Sequence, residues 1–173
     1  MTGSLEVPPQ PDDHVSGPAD APFVLTMYSD FECPFCQAAR SILARVRKRL
    51  GDELRFVYRH FPIDERHPLA REAAEVAEAA HAQGAFWPMH DALFDLRGSL
   101  ERPAMLKAAK QLGLDVARIE RELDGHVHAA RVQVDLQSGL RSGVTGTPGF
   151  FAASRPVGGA FDASSLVDAL RAS

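Results

Sequence analysis

Cysteine is nearly missing from this chain of 173 residues, which carries two, Cys33 and Cys36, and no second pair. A zinc site built on four cysteines is therefore excluded. Basic charge is not in excess either: 19 Lys and Arg stand against 23 Asp and Glu, for a net charge of -4. Neither nucleic acid nor an anionic membrane is an expected partner for such a surface. No apolar run reaches the length needed to span a bilayer. Internal repeats and low-complexity tracts are lacking as well. The first 21 residues have neither a basic start nor an apolar stretch, so they do not read as a secretory leader. As written, the chain is expected in the cytoplasm; a leader removed earlier would make it periplasmic or secreted. What remains, 45% hydrophobic and 24% charged, suits one globular domain with a sizeable core.

The two cysteines form Cys33-Pro34-Phe35-Cys36, between an apolar, strand-forming run (Phe23 to Tyr28) and a helical one (Gln37 to Leu50). In the first turn of a helix, positions i and i+3 come close enough for a disulfide. Cys33 falls at the helix start, where free N–H groups and the positive end of the dipole favour a thiolate. Pro34 suits the first helical position, because it has no N–H to leave unpaired. Cys33 is thus the expected attacking thiol and Cys36 the sheltered, resolving one. Phe35 adds no positive charge and Glu32 places a negative one beside Cys33, so its pKa is expected below that of a free thiol without being extreme. A purely structural bridge is a poor alternative, since closing so small a loop constrains the unfolded chain very little. A zinc site completed by His126 and His128 is another, but alternate residues on a helix point to different faces.

Residues 1–12 read as a loosely held lead. Val15 suggests a short strand, and Leu54 to Arg59 a second long strand, parallel to the first across the cysteine helix. A helical stretch follows from about Pro68 to Arg141, punctuated by Gly84, Gly98 and Gly113, with Pro103 and Asp115 as starts. After Gly143 come a hairpin, with Ser154-Arg155 near its turn, and a last helix capped by Asp162. His60, His67, His81 and His90 read as surface or capping residues, and Trp87 as filling between the helical block and the sheet.

Three stretches, Tyr28 to Cys36, Gln83 to His90 and Gly143 to Pro148, resemble the DsbA-like thiol:disulfide oxidoreductases. The similarity runs from about His14 onward. It implies an α/β thioredoxin fold with a central mixed β-sheet and an inserted helical subdomain. The implied division is a flexible lead (1–12), a first half (13–65), a helical insertion (66–142) and a second half (143–173). The resemblance further implies a cis Thr147–Pro148 bond facing the cysteines, with Thr147 and Pro148 contacting an extended substrate. It implies protein or peptide thiols as substrates, a redox recycling partner, a monomer, and no cofactor beyond the cysteine pair. Family members often carry a buried carboxylate six residues before the first cysteine. Here that residue is Met27, which leaves Glu32 or water as the candidate for proton transfer. A disulfide isomerase, a metal-handling module and a peptide-binding chaperone are the alternatives.

Overall fold

The computed structural model of the protein describes residues 3–159 and 162–173. The described chain forms a five-stranded sheet flanked by helices, in the strand order β1-β3-β2-β4-β5. Strand β2 (Phe23–Ser29) leads into α1 (Pro34–Leu50), and β3 (Leu54–His60) returns parallel to β2 in the register Phe23 opposite Leu54. The edge strand β1 (His14–Ser16) pairs antiparallel to β3. On the other side β4 (Gly149–Ala152) runs antiparallel to β2, and β5 (Arg155–Val157) antiparallel to β4. The sheet is therefore mixed, as expected.

Helix α1 buries Cys36, Ala39, Leu43, Val46 and Leu50, a spacing of alternating threes and fours that makes one apolar stripe. That stripe packs on the sheet face formed by Leu25, Met27, Phe56 and Tyr58. The helical insertion comprises α2 (Ala70–His81), α3 (Phe86–Asp95), α4 (Arg102–Gln111), α5 (Val116–Asp124) and α6 (Ala129–Arg141). Asp115 caps α5 by accepting from Arg118 N–H, as its position predicts. Helix α2 begins two residues later than Pro68 suggests, because Pro68 and Leu69 form a turn in which Ala70 N–H reaches His67 O at 3.2 Å. Helix α6 likewise starts after Val127, since His126 takes a left-handed turn conformation with φ 48°. The last helix, α7 (Ala163–Arg171), is opened by a reciprocal capping box between Asp162 and Ser165.

On the opposite sheet face, Tyr28, Phe61, Val144 and Phe151 form a second, smaller apolar cluster with Leu5. Residues 3–12, expected as a loose lead, make specific contacts with the fold; the first two residues lie outside the described ones. Arg59, buried on β3, donates to Val7 O at 2.8 Å, to Pro8 O at 3.0 Å and to both Asp13 carboxylate oxygens at 2.8 Å. Leu5 is buried, and its N–H reaches Ser154 O at 2.9 Å. A buried guanidinium needs partners for its five donors: the lead supplies two through Val7 and Pro8, Asp13 two more, and the Tyr28 hydroxyl the fifth at 2.9 Å. No helix among the described residues is long and apolar enough to cross a membrane.

Candidate functional site

Asp30 shapes the loop that delivers the cysteines. Its buried carboxylate accepts from Glu32 N–H at 2.8 Å, Ile63 N–H at 3.0 Å and His67 Nδ1 at 2.8 Å. Cys33 N–H bonds Asp30 O at 3.2 Å, closing the turn, and Cys33 becomes the residue that opens α1 with Pro34 in its first turn. Both cysteines are buried and carry free thiols in this structure. The Thr147–Pro148 peptide is cis, and Thr147 O stands 3.3 Å from Cys33 Sγ, accepting its S–H. Residues 114 apart in sequence are thereby brought to one point.

The sulfurs are electrostatically unequal. The Cys36 thiol donates to Cys33 Sγ and, against the cost of burial, lowers the Cys33 pKa from 9.0 to about 5. Further lowering comes from the Thr147 side chain and from the Cys36 and Phe35 N–H groups at the start of α1. Burial, joined by the neighbouring Cys33 sulfur, pushes the Cys36 thiol well above 9.0. The expected direction for Cys33 holds, with a larger displacement than the flanking residues alone suggest. The difference arises because the strongest donor is the partner thiol itself.

Glu32 is the proton-transfer candidate the sequence suggests. Its Oε2 accepts from Leu69 N–H at 2.8 Å, so the carboxylate is engaged at the entry to α2. The groups that favour an ionised Cys36 are the Ser29 side chain and Asp30 N–H. Ser29 and Asp30 are functional candidates that motif reading missed, whereas Thr147 was already named there as a substrate contact. Only Asp30 carried a local signal, an acidic residue in the turn after a strand. Trp87 does bridge sheet and helices, its Nε1 donating to Val15 O at 3.2 Å. His60 and His90, expected at the surface, are instead buried. Phe35 stands 69% exposed between the cysteines, an apolar surface beside the sulfur.

A thioredoxin family model matches residues 9–172. A thioredoxin-like oxidoreductase from Silicibacter pomeroyi DSS-3 superposes with a TM-score of 0.84 at 26% identity, covering 94% of this chain and 92% of that one. Oxidised BdbD from Bacillus subtilis superposes with a TM-score of 0.88 at 19% identity, covering 98% and 97%. In sequence, the chain is 42% identical over 170 residues to a protein named Na(+)/H(+) antiporter NhaA from Herminiimonas arsenicoxydans, covering 98% of this chain and 27% of that relative. The chain thus spans about a quarter of the length of the curated relatives it matches. The protein belongs to the thioredoxin family. Within it, the helical insertion between β3 and β4 gives the DsbA-like form of the fold.

Proposed function

We propose that the protein is a thiol:disulfide oxidoreductase that exchanges disulfides with protein or peptide thiols through Cys33 and Cys36. The observation that carries this reading is the placement of Cys33 Sγ at the start of α1, 3.3 Å from Thr147 O beside Pro148. In the oxidising direction a substrate thiolate attacks Cys33 Sγ of the disulfide, and Cys36 leaves and takes a proton. A second substrate thiolate then attacks the substrate sulfur of the mixed disulfide and expels the Cys33 thiolate. That thiolate is a good leaving group because its pKa is low, and a stabilised reduced form makes the disulfide oxidising. In the reducing direction Cys33 attacks a substrate disulfide and Cys36 resolves it.

An extended peptide lies along Thr147, with Pro148 removing a competing N–H and Phe35 offering apolar contact. The working unit is a monomer, no bound cofactor takes part, and a separate redox partner recycles the pair. A strongly oxidising pair fits an oxidising compartment outside the cytoplasm. The transport named for the antiporter relatives is not carried over to this chain.

The test is disulfide exchange with reduced, unfolded substrate proteins. Cys33→Ser should abolish exchange, and Cys36→Ser should accumulate substrate as a mixed disulfide on Cys33. Exchange that survives Cys33→Ser overturns the assignment. A measured reduction potential near that of thioredoxin would assign the reducing direction instead.

A further inference from the structure

Away from the cysteines, three side chains from separate elements point at one another inside the molecule. His14 comes from β1, His60 from β3 and Glu78 from α2. Both imidazole Nε2 atoms approach the same carboxylate oxygen, Glu78 Oε1, at 2.7 Å and 2.9 Å. All three ligand atoms lie within 4.8 Å of one another, and all three residues are buried. Metal–nitrogen and metal–oxygen bonds of about 2.0–2.2 Å place the ligands of one ion roughly 3 Å apart. The cluster is thus close to a ligand triangle already.

The charge of the interior points the same way. Among the described residues Arg59 is the only buried lysine or arginine, and it is committed to Asp13. Asp135 has Arg131 at 2.6 Å, whereas no lysine or arginine among the described residues bonds Glu78. Glu78 is buried, and its Oε1 has the two imidazoles as its side-chain partners. A buried carboxylate shared by two imidazoles, with no lysine or arginine bonded to it among the described residues, leaves a place for a cation.

The surroundings suit a fixed but reachable site. The His14 ring stacks flat on Phe86, with centroids 3.4 Å apart and planes 6° from parallel. His14 also lines an open cavity of about 520 Å³ together with His81, Phe86 and Trp87. Glu78 and His81 are three residues apart on α2, so they share a side of the helix. The His81 ring lies 4.7 Å from that of His14.

We propose that His14, His60 and Glu78 form a buried binding site for a divalent transition-metal ion of the zinc type, with its fourth position opening toward His81. Two imidazoles and a carboxylate are the donor set such ions take, and magnesium or calcium would call for more oxygens. The ion would tie the edge strand and β3 to the helical insertion. Nothing in this site touches either cysteine, so it stands or falls independently of the exchange chemistry.

The experiment uses the full chain carrying Cys33→Ser and Cys36→Ser, which removes thiolate ligands, stripped of metal and titrated with Zn(II) by calorimetry. One equivalent should bind, and the Tm should rise with it. Co(II) should give visible d–d bands without a sulfur charge-transfer band. Glu78→Gln and His14→Gln should each weaken Zn(II) binding by roughly a hundredfold or more, as expected when a ligand of a four-coordinate site is lost. No uptake by the cysteine-free chain, or equal affinity in both variants, overturns the proposal. Should both variants fail to fold, an unchanged Tm of the cysteine-free chain with one equivalent of Zn(II) overturns it too.

Discussion

Replacing Cys36 by Ala removes the thiol that contributes most to holding Cys33 at about 5 in place of 9.0. A hydrogen bond to a charged group is worth about 1.5–3 kcal/mol, and about 1.4 kcal/mol corresponds to one pKa unit. Cys33 in Cys36→Ala should therefore titrate roughly one to two units higher than in the parent. Cys36→Ser keeps an O–H donor at the same place and should recover part of that shift. The assay follows thiolate ultraviolet absorbance against pH in the reduced proteins, checked by the pH dependence of the iodoacetamide alkylation rate. A Cys33 that titrates identically in Cys36→Ala and the parent refutes the reasoning. It would mean that the N–H groups at the start of α1, and not the partner thiol, stabilise the thiolate.

Three further outcomes are expected. Reduced protein should become more stable relative to Cys33→Ser as pH rises from about 5 toward 9.0, because a depressed folded pKa adds stability that is complete above the unfolded value and lost as pH falls through the folded one. Urea melts at both ends of that window giving the same difference would contradict it. Asp13→Ala should cost about 3–5 kcal/mol by leaving the buried Arg59 without its carboxylate partner, and should expose the lead to limited proteolysis; a loss below about 1 kcal/mol, the range of surface pairs, would show that the pair is not desolvated. Gly139→Ala gains about 1 kcal/mol of helix propensity within α6, but its Cβ would stand 2.6 Å from a Phe61 ring carbon and 2.9 Å from one of Tyr28. Overpacking of about 1–3 kcal/mol should win, giving net destabilisation in a denaturant melt, and a stabilised variant would show that the two rings yield freely.

Much of the fold was legible because its signals are local. The alternating spacing in α1, the Pro34 and Gly51 at its ends, and the caps at Asp115 and Asp162 each lie within one or two turns of what they control. The lead is the opposite case. Its prolines read as loose chain, yet its order comes from Arg59, which lies 46 residues beyond Asp13. Histidine was misread for the same reason. His60 sits on an alternating strand whose inner face is revealed only when α2 and β1 cover it.

By itself, the order of residues determined the cysteine pair, its seat at a helix start and the succession of strands and helices, since these follow from backbone propensity and short-range spacing. Tertiary structure alone decided that the Thr147 carbonyl meets Cys33, that Asp30 rather than Glu32 organises the loop, and that His14, His60 and Glu78 converge. Those contacts join positions 18 to 114 residues apart. Hydrogen-bond geometry and burial act over a few ångströms of space, and no periodicity along the chain records which distant residues will share them.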